Sequence, residues 1–380
     1  MKDKLSWALV IIVSMVLGGG IMLGIDSARS DNNNGTLTGV GQFADTTPAD
    51  NNSNGNTSSS NGAPISNTLD DISDLYAAVR PSVVSIAGTS RTSGGSGSGI
   101  VLDKQGNILT NNHVVSGFTD LDVTLSDGTT AKATIVGTDP GSDLAVVHVD
   151  IPADKLKPAK LGDSDKVRTG EGVIAVGNPF GIEGSLTQGV VSGLGRTLSG
   201  GTGRPLRQLI QSDAAINPGN SGGALFNRNG EVIGITTAIE NPSGDRVFVG
   251  IGYAVPVNTA TRFLPDMLAG RAIQHPRLGV QLTNVTPGIA STYSLNISQG
   301  VMLQSVEAGS AASRAGLRGV SGTRAGDVVI AIDGKAVKTF EELAGYIDGK
   351  SVGDKVQVKY VRDNQEQTAE ITLEAWKSTT

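Results

Sequence analysis

The chain has 380 residues, enough for two or three domains, and its 52 glycines are nearly twice what the ~7% typical of proteins would give. There is no cysteine, which excludes thiol catalysis, disulfides and cysteine-ligated metal, and three scattered histidines do not make a histidine metal site, so we expect no metal and no cofactor. A formal net charge of −6 without a basic block argues against nucleic acid as a partner.

The first predicted element is a membrane-spanning helix. Lys2 and Lys4 precede an uncharged apolar run from Leu5 to Ile25, close to the ~20 residues that cross a bilayer as a helix. A cleaved signal peptide is the alternative, but the run exceeds the ~7–15-residue apolar core of such peptides and no clear A-x-A site follows. By the positive-inside rule the lysines place the N-terminus in the cytoplasm. We therefore assign residues 1–29 to a cytoplasmic tip and single-pass anchor in the cell membrane, with the later domains extracytoplasmic.

The segment 30–68 is predicted to be a disordered polar linker. It is composed mainly of Asn, Gly, Ser, Thr and Asp, with very few large apolar residues, and such a composition cannot form a core. As a flexible coil it would reach about 35 Å. It would tether the first folded domain to the membrane.

Short strands and turns are predicted across the first folded domain, 69–272. A helical pattern over 69–80 ends at Pro81 and leads into a strand at 83–86. The glycine-rich run SGGSGSG at 93–99 lacks a Gly-Lys-Ser/Thr and a following helix pattern, so close strand packing is favoured over a phosphate loop. The high glycine content and the alternating strands that follow make this a mostly β domain.

Three motifs supply the residues of a catalytic triad. The segment QSDAAINPGNSGGALFN at 211–227 puts Ser221 in a glycine-dense turn, where the amides of Gly219 and Ser221 can form an oxyanion hole. A serine nucleophile needs a base and a group that orients it. His113 lies in TNNHVV at 110–115, and Asp143 opens the apolar run DLAVV. The order His, Asp, Ser along the chain is that of the chymotrypsin-type triad.

Two other residues compete for these roles. His148 stands in a strand continuous with that of Asp143, so a paired or surface histidine is favoured over a base. Asp139 begins a turn signal, Asp-Pro-Gly, and we expect it to be exposed and to cap that turn. Both are therefore set aside as members of the triad.

With these three motifs in this order, the chain resembles the HtrA/Deg family of serine proteases. The resemblance implies a chymotrypsin-like pair of six-stranded β-barrels with the triad at their junction, followed by a PDZ domain. Residues 196–205 lie where the family carries regulatory loops, although a plain solvated loop fits their composition equally well.

The resemblance also indicates the substrate pocket. Ala215, six residues before Ser221, stands where trypsin-like pockets hold a selecting acid, so a small aliphatic P1 residue such as Val, Ala or Leu is expected. No basic residue adjoins the turn, which disfavours a glutamate-directed pocket. The remaining predicted pocket residues are Ile216, Ile235, Thr236, Thr237 and Ala238. Thr236 stands where the family usually has an asparagine.

Residues 276–376 resemble a PDZ domain of the HtrA kind. Its carboxylate-binding loop is matched by Arg277, Leu278, Gly279 and Val280. The amides of such a loop can hold a peptide C-terminus while the next strand accepts the peptide by strand addition. Leu343 and Ile347 share one face of a helix that starts with a capping box at 339–342, and that face is expected to line the groove. Packing of the face on the domain's own core is the alternative.

The resemblance implies a serine endopeptidase acting on unfolded or damaged extracytoplasmic proteins, or on a membrane-bound regulator. The PDZ domain would bind C-terminal peptides for recruitment or activation, and a homotrimer is expected because family members are commonly trimers. The alternative from another class is a membrane-tethered PDZ peptide-binding or chaperone module whose protease half is inert.

Overall fold

The computed structural model describes residues 68–178, 184–198, 204–217, 219–239 and 248–376. The predicted anchor at 1–29 and all but the last residue of the predicted linker lie outside these ranges. Within the described part of the chain, no helix combines the length and the apolar character needed to cross a bilayer.

Six strands close into a first β-barrel in the order β1-β2-β3-β6-β5-β4, with all neighbours antiparallel. They are β1 Val83–Thr89, β2 Gly94–Val101, β3 Asn107–Thr110, β4 Asp120–Thr124, β5 Thr130–Asp139 and β6 Leu144–Val149. Alternate apolar residues of these strands point inward, and Ile86, Ile108 and Val147 are fully buried in the barrel core. Period-two burial of this kind is what fixes the register of each strand.

A second barrel follows, and β11 pairs with both β8 and β12, so the ring β11-β8-β9-β10-β13-β12 closes. Its strands are β7 Lys160–Leu161, β8 Gly172–Gly177, β9 Ser185–Leu198, β10 Leu206–Ser212, β11 Ala224–Asn227, β12 Glu231–Ile239 and β13 Gly252–Pro256. Strand β7 adds to the edge of β12 in parallel. Phe226 is fully buried in an apolar cluster that also contains Leu109 and Leu144 of the first barrel. The predicted mostly β fold with two six-stranded barrels is confirmed.

In the described ranges, three α-helices accompany the barrels: α1 Thr68–Val79, α2 Asn112–Val115 and α3 Val257–Leu268. Helix α1 precedes the first barrel in sequence but packs on the second, where Leu75 and Val79 approach Gly230. The Tyr76 hydroxyl donates to the Gly184 carbonyl at 3.1 Å. The N-terminal helix therefore ties the start of the described chain to a later part of the fold.

The C-terminal domain is a β-sheet of order β15-β16-β17-β19-β20, with β18 on β17 and a separate β14–β21 pair. Its strands are β14 Pro276–Arg277, β15 Val280–Asn284, β16 Val301–Val306, β17 Val328–Ile332, β18 Lys335–Ala336, β19 Lys355–Arg362, β20 Gln365–Thr372 and β21 Glu374–Ala375, and its helices are α4 Pro287–Thr292, α5 Ala311–Arg314 and α6 Phe340–Asp348. As the sequence predicts, Thr339 caps α6: its Oγ1 accepts from Glu342 N at 3.3 Å, while Glu342 Oε2 accepts from Lys338 N.

The segment between the second barrel and the C-terminal domain is anchored to the first barrel. His275 Nε2 lies 2.6 Å from Asp139 Oδ1, and its ring packs edge-on against Phe263. The side chain of Asp139 is 1% exposed, so the prediction that it is exposed is wrong, although it does cap its turn by accepting from the N–H groups of Gly141 and Ser142. The error arose because the residue that buries Asp139 is 136 positions away.

Candidate active site

His113 and Asp143 meet at one edge of the first barrel, where α2 and the turn before β6 lie side by side. His113 Nδ1 is 2.7 Å from Asp143 Oδ2, and the His113 backbone N–H donates to Asp143 Oδ1 at 3.0 Å. The carboxylate thus fixes both the ring and the main chain of the histidine. With Nδ1 held in this way, Nε2 is the ring nitrogen left to exchange a proton with a nucleophile.

Asp143 adopts an unusual backbone conformation, with φ of 55° in the left-handed region. Residues other than glycine occupy this region only at a cost of roughly 1–2 kcal/mol, so neighbouring contacts must hold them there. The Asp143 carbonyl accepts from Asn111 Nδ2 at 2.8 Å and from Asn112 N at 3.1 Å. The predicted orienting aspartate therefore sits at a strained position that its surroundings enforce.

Ser221 lies in a turn whose glycines are required by space as well as by conformation. Gly219 and Gly222 have φ of 95° and 83°. A Cβ on Gly222 would lie 2.2 Å from the Ser98 carbonyl oxygen, closer than real contacts allow. The turn is fixed further by Gly222 N, which donates to the Thr236 carbonyl at 2.8 Å. Pro218 lies outside the described residues.

The glycine-rich strand β2 supplies the support beneath this turn. Ser98 is buried; its Oγ donates to the Gly219 carbonyl at 2.7 Å and accepts from Asn178 N at 2.8 Å, while its N–H donates to the Ser221 carbonyl. A Cβ on Gly97 would meet the Ser221 carbonyl oxygen at 2.9 Å. The glycines of the run at 93–99 therefore allow the Ser221 turn to pack closely on β2, as predicted. The supporting role of Ser98 was not predicted, because only the glycine density of the run stood out in the sequence.

The Ser221 hydroxyl donates to the Thr237 carbonyl at 3.3 Å. Among the hydrogen bonds of the described residues there is none between Ser221 and His113. The predicted oxyanion donors, the N–H groups of Gly219 and Ser221, donate to no other group in the described part of the chain. Their role as oxyanion donors stays a prediction.

Thr237, which was predicted to form the pocket, bonds to the histidine–aspartate pair. Its Oγ1 donates to Asp143 Oδ2 at 2.5 Å, so this carboxylate oxygen is held by both Thr237 and His113. A hydrogen bond to an ionised acceptor is among the stronger ones in proteins. No local motif in the sequence indicated this contact.

Three of the other predicted pocket residues have little exposed surface. Ile216 and Ile235 are buried in the second barrel, and the Thr236 Oγ1 donates to the Asn220 carbonyl at 2.6 Å. The assignment of these three residues to the substrate pocket stays a prediction. Ala215 is partly exposed, and the side chain of Ala238 lies outside the described set.

A cavity of about 640 Å³ lies between β15 and α6 of the C-terminal domain. Its lining includes the predicted groove residues Leu278, Gly279, Val280, Leu343 and Ile347. The N–H groups of Leu278 and Gly279 donate to no group among the described residues, as a carboxylate-binding loop requires. Leu343 and Ile347 also belong to the domain core, so they serve both of the roles considered for them.

Arg277 is the first residue of the predicted carboxylate-binding loop, and it also lines the cavity. Its guanidinium is paired with Glu307 at 2.7 Å and with Glu374 at 3.0 Å, and it packs over the ring of Trp376. This side chain is therefore engaged by its own domain. Any binding of a peptide carboxylate at the loop falls to backbone amides.

Three arginines of the barrels gather at the C-terminal end of α6. Arg204 Nη2 lies 3.0 Å and Arg207 Nη1 3.6 Å from Asp348 Oδ1, while Arg262 donates to the carbonyls of Asp348 and Lys350. Cations at this end complement the helix dipole. Burial lowers the pKa of the Arg207 guanidinium, and Arg204 adds to the lowering, against the attraction of Asp348. Two guanidiniums thus share one carboxylate.

Comparison with known proteins matches both parts of the chain. Residues 97–235 match a trypsin-like peptidase domain, and residues 276–373 match a PDZ domain. The chain is 41% identical over 286 residues to Protease Do-like 1, chloroplastic, of Arabidopsis thaliana, a match that covers 74% of this chain and 64% of that protein. It is 38% identical over 281 residues to the periplasmic pH-dependent serine endoprotease DegQ of Escherichia coli, covering 74% of this chain and 59% of that protein.

Solved structures agree with these matches. The HtrA-type protease AlgW with a tripeptide aligns with a TM-score of 0.68 and 32% identity, over 80% of this chain and 97% of that one. The chain spans only about half to two thirds of the length of the curated relatives, with 64% and 59% for the two named above.

Proposed function

This chain belongs to the HtrA family of trypsin-like serine proteases, and on that premise we propose that it is an endopeptidase whose triad is His113, Asp143 and Ser221. The observation that carries the proposal is the double contact between His113 and Asp143, made beside a glycine turn that presents Ser221. The sequence alone suggested this set of residues, and their placement in the fold supports it.

In the proposed reaction, Ser221 Oγ attacks the substrate carbonyl carbon while His113 Nε2 accepts its proton. Asp143, held by Thr237, stabilises the imidazolium that forms. The N–H groups of Gly219 and Ser221 bind the oxyanion; removing one such donor typically costs about 10²–10³ in kcat. His113 then returns the proton to the leaving amine, and water releases the acyl group by the same route.

We propose that the substrates are unfolded or damaged proteins outside the cytoplasm, or a membrane-bound regulator, because relatives are named as periplasmic endoproteases. The apolar run from Leu5 to Ile25 would anchor the chain in the membrane as a single span. The groove at 277–280 would bind C-terminal peptides that recruit substrate or raise activity. A homotrimer and a small aliphatic P1 preference, based on Ala215, complete the proposal.

Active-site labelling tests the enzymatic part directly. A fluorophosphonate probe should label the full chain at Ser221, and the chain should cleave unfolded casein. Ser221→Ala should lose both activities, and His113→Ala should lose almost all of each. His148→Ala is the matched control, since His148 lies half-buried on β6 away from the site and should leave both unchanged.

Two results would overturn the endopeptidase assignment. One is a folded wild-type chain that neither reacts with the probe nor cleaves casein but binds C-terminal peptides, which would favour an inert protease half joined to a peptide-binding module. The other is casein cleavage that survives Ser221→Ala. Mapping of casein fragments by mass spectrometry would settle the P1 preference, and sedimentation of the detergent-solubilised chain would settle the trimer.

A further inference from the structure

The end of strand β8 packs against the turn that carries Ser221. A Cβ on Gly177, the last residue of β8, would lie 2.4 Å from Asn220 Oδ1 and 2.9 Å from Asn220 Cα, so the strand and the turn are in direct contact. The next residue, Asn178, donates its N–H to Ser98 Oγ at 2.8 Å, and Ser98 Oγ donates to the Gly219 carbonyl at 2.7 Å. The end of β8 therefore reaches the two residues before the nucleophile, one by packing and the other through Ser98.

Helix α1 holds the strand that pairs with this end of β8. Gly177 pairs with Ser185, the first residue of β9. The residue before it, Gly184, accepts at its carbonyl from the Tyr76 hydroxyl at 3.1 Å. A Cβ on Gly184 would lie 2.5 Å from the Tyr76 hydroxyl oxygen and 3.5 Å from the Gly177 carbonyl oxygen, so these groups pack closely. Tyr76 thus fixes what we call the β8–β9 end, residues 177–178 and 184–185.

Apolar packing holds Tyr76 itself in place. Ile72, Leu75 and the Tyr76 ring pack, partly buried, against the apolar cluster that includes Val176 of β8, and Val79 at the end of the helix is buried in that cluster. Because packing has already removed much of the conformational freedom of the side chain, the hydrogen bond to Gly184 costs little further entropy. The hydroxyl is therefore presented to the β8–β9 end at a fixed position.

We propose that Tyr76 is a positioning residue for the nucleophile: by holding the Gly184 carbonyl, it keeps the β8–β9 end against Asn220 and so keeps the Ser221 turn in its reactive conformation. This inference rests on the proposed triad. When the hydrogen bond is lost, the β8–β9 end relaxes and the turn spends less time in that conformation, whereas the binding of substrate in the cleft is unchanged. The loss therefore falls on kcat rather than on KM.

Tyr76→Phe removes the hydroxyl alone and keeps the ring in the apolar cluster. In the full chain it should lower kcat for a casein-derived fluorogenic peptide by about threefold to tenfold, the range that follows from the net contribution of one neutral hydrogen bond, with KM changed less than about twofold. The rate of fluorophosphonate labelling should fall in parallel, although the final labelled fraction should not. Tyr360→Phe is the matched control, because the Tyr360 hydroxyl also donates at 3.1 Å, to Gln367 Oε1 in the PDZ sheet, and its removal should leave kcat unchanged.

Gly184→Ala tests the same contact from its other side. The new Cβ would displace the Tyr76 hydroxyl, so this variant should also lose kcat. In the double variant, Tyr76→Phe with Gly184→Ala, the hydroxyl that obstructs the Cβ is absent. Its kcat should be no lower than that of Tyr76→Phe alone, because both changes act through one contact. Thermal unfolding of each variant establishes that it is folded at the assay temperature, which separates lost positioning from lost protein.

The outcomes are distinct. A loss of kcat smaller than about threefold in Tyr76→Phe would overturn the inference, and so would a rise in kcat or an equal loss in Tyr360→Phe. A rise in KM larger than the fall in kcat would overturn it as well, because Tyr76 would then shape the cleft. Multiplied losses in the double variant would overturn the link through Gly184. Failure of the wild-type chain to label or cleave would instead refute the triad itself, so the two failures cannot be confused.

Discussion

Replacement of Thr237 by valine tests whether the triad depends on a group that no motif marks. The change removes the hydrogen bond from Oγ1 to Asp143 Oδ2, which measures 2.5 Å, while it keeps the branched shape of the side chain. A hydrogen bond to a charged group contributes about 1.5–3 kcal/mol. If that contribution is realised in the transition state, where Asp143 faces an imidazolium, kcat should fall by about tenfold to a hundredfold.

The assay is steady-state cleavage of a fluorogenic peptide, with the fluorophosphonate labelling rate as a second readout. Thr237→Ser is the matched control, since it keeps the hydroxyl and should retain most of the activity. KM should be unchanged in both variants, because the contact lies behind Asp143 rather than in the cleft. A valine variant with kcat within about twofold of wild type would refute the reasoning, and so would equal losses in the valine and serine variants.

Three other predictions follow from contacts described above. Ser98→Ala removes the support beneath the nucleophile turn and should lower the free energy of unfolding by about 1–3 kcal/mol and slow fluorophosphonate labelling; unchanged labelling would contradict this. Gly222→Ala should abolish labelling, whereas Gly128→Ala, at a similar φ of 85° but with nothing within 4 Å of its Cβ, should not. The backbone N–H of Gln357 donates to the Asp333 carboxylate and lowers its pKa below the usual 3.8, so the ionised carboxylate stabilises the PDZ domain above that pH and this stabilisation is lost as the pH falls further. Acid unfolding of the PDZ domain, followed by Trp376 fluorescence, should therefore be less sensitive to pH in Asp333→Asn.

The three proposed triad residues could be picked out from the sequence because each of them sits in a short motif whose local structure follows from nearby residues. Gly222, for example, is needed by a turn that the sequence itself displays. The two barrels and the PDZ domain were predicted by resemblance, whereas strand and turn patterns predicted only the mostly β character. The sequence could therefore predict those features whose structure depends on residues close by in the chain.

Contacts between distant segments could not be predicted in this way. Asp139 looked exposed because it begins a turn signal, yet His275 buries it from 136 positions away. Thr237 and Ile235 are two residues apart on one strand, and their different surroundings, a carboxylate for one and the barrel core for the other, depend on which segments pack against β12. The burial and the partners of such residues are decided by contacts between segments far apart in the sequence, rather than by local conformational preference.

Helix α1 bears on where the protease can be shortened. Since it packs over Gly230 of the second barrel, a recombinant fragment that starts at Val83 would keep every strand yet leave an apolar stripe on that barrel open to water. Such a fragment should aggregate on heating, whereas one that starts before Thr68 should not. The short connection from the helix to β1, residues 80–82, is itself a hydrogen-bonded turn with Ser82 buried, so limited proteolysis should spare it.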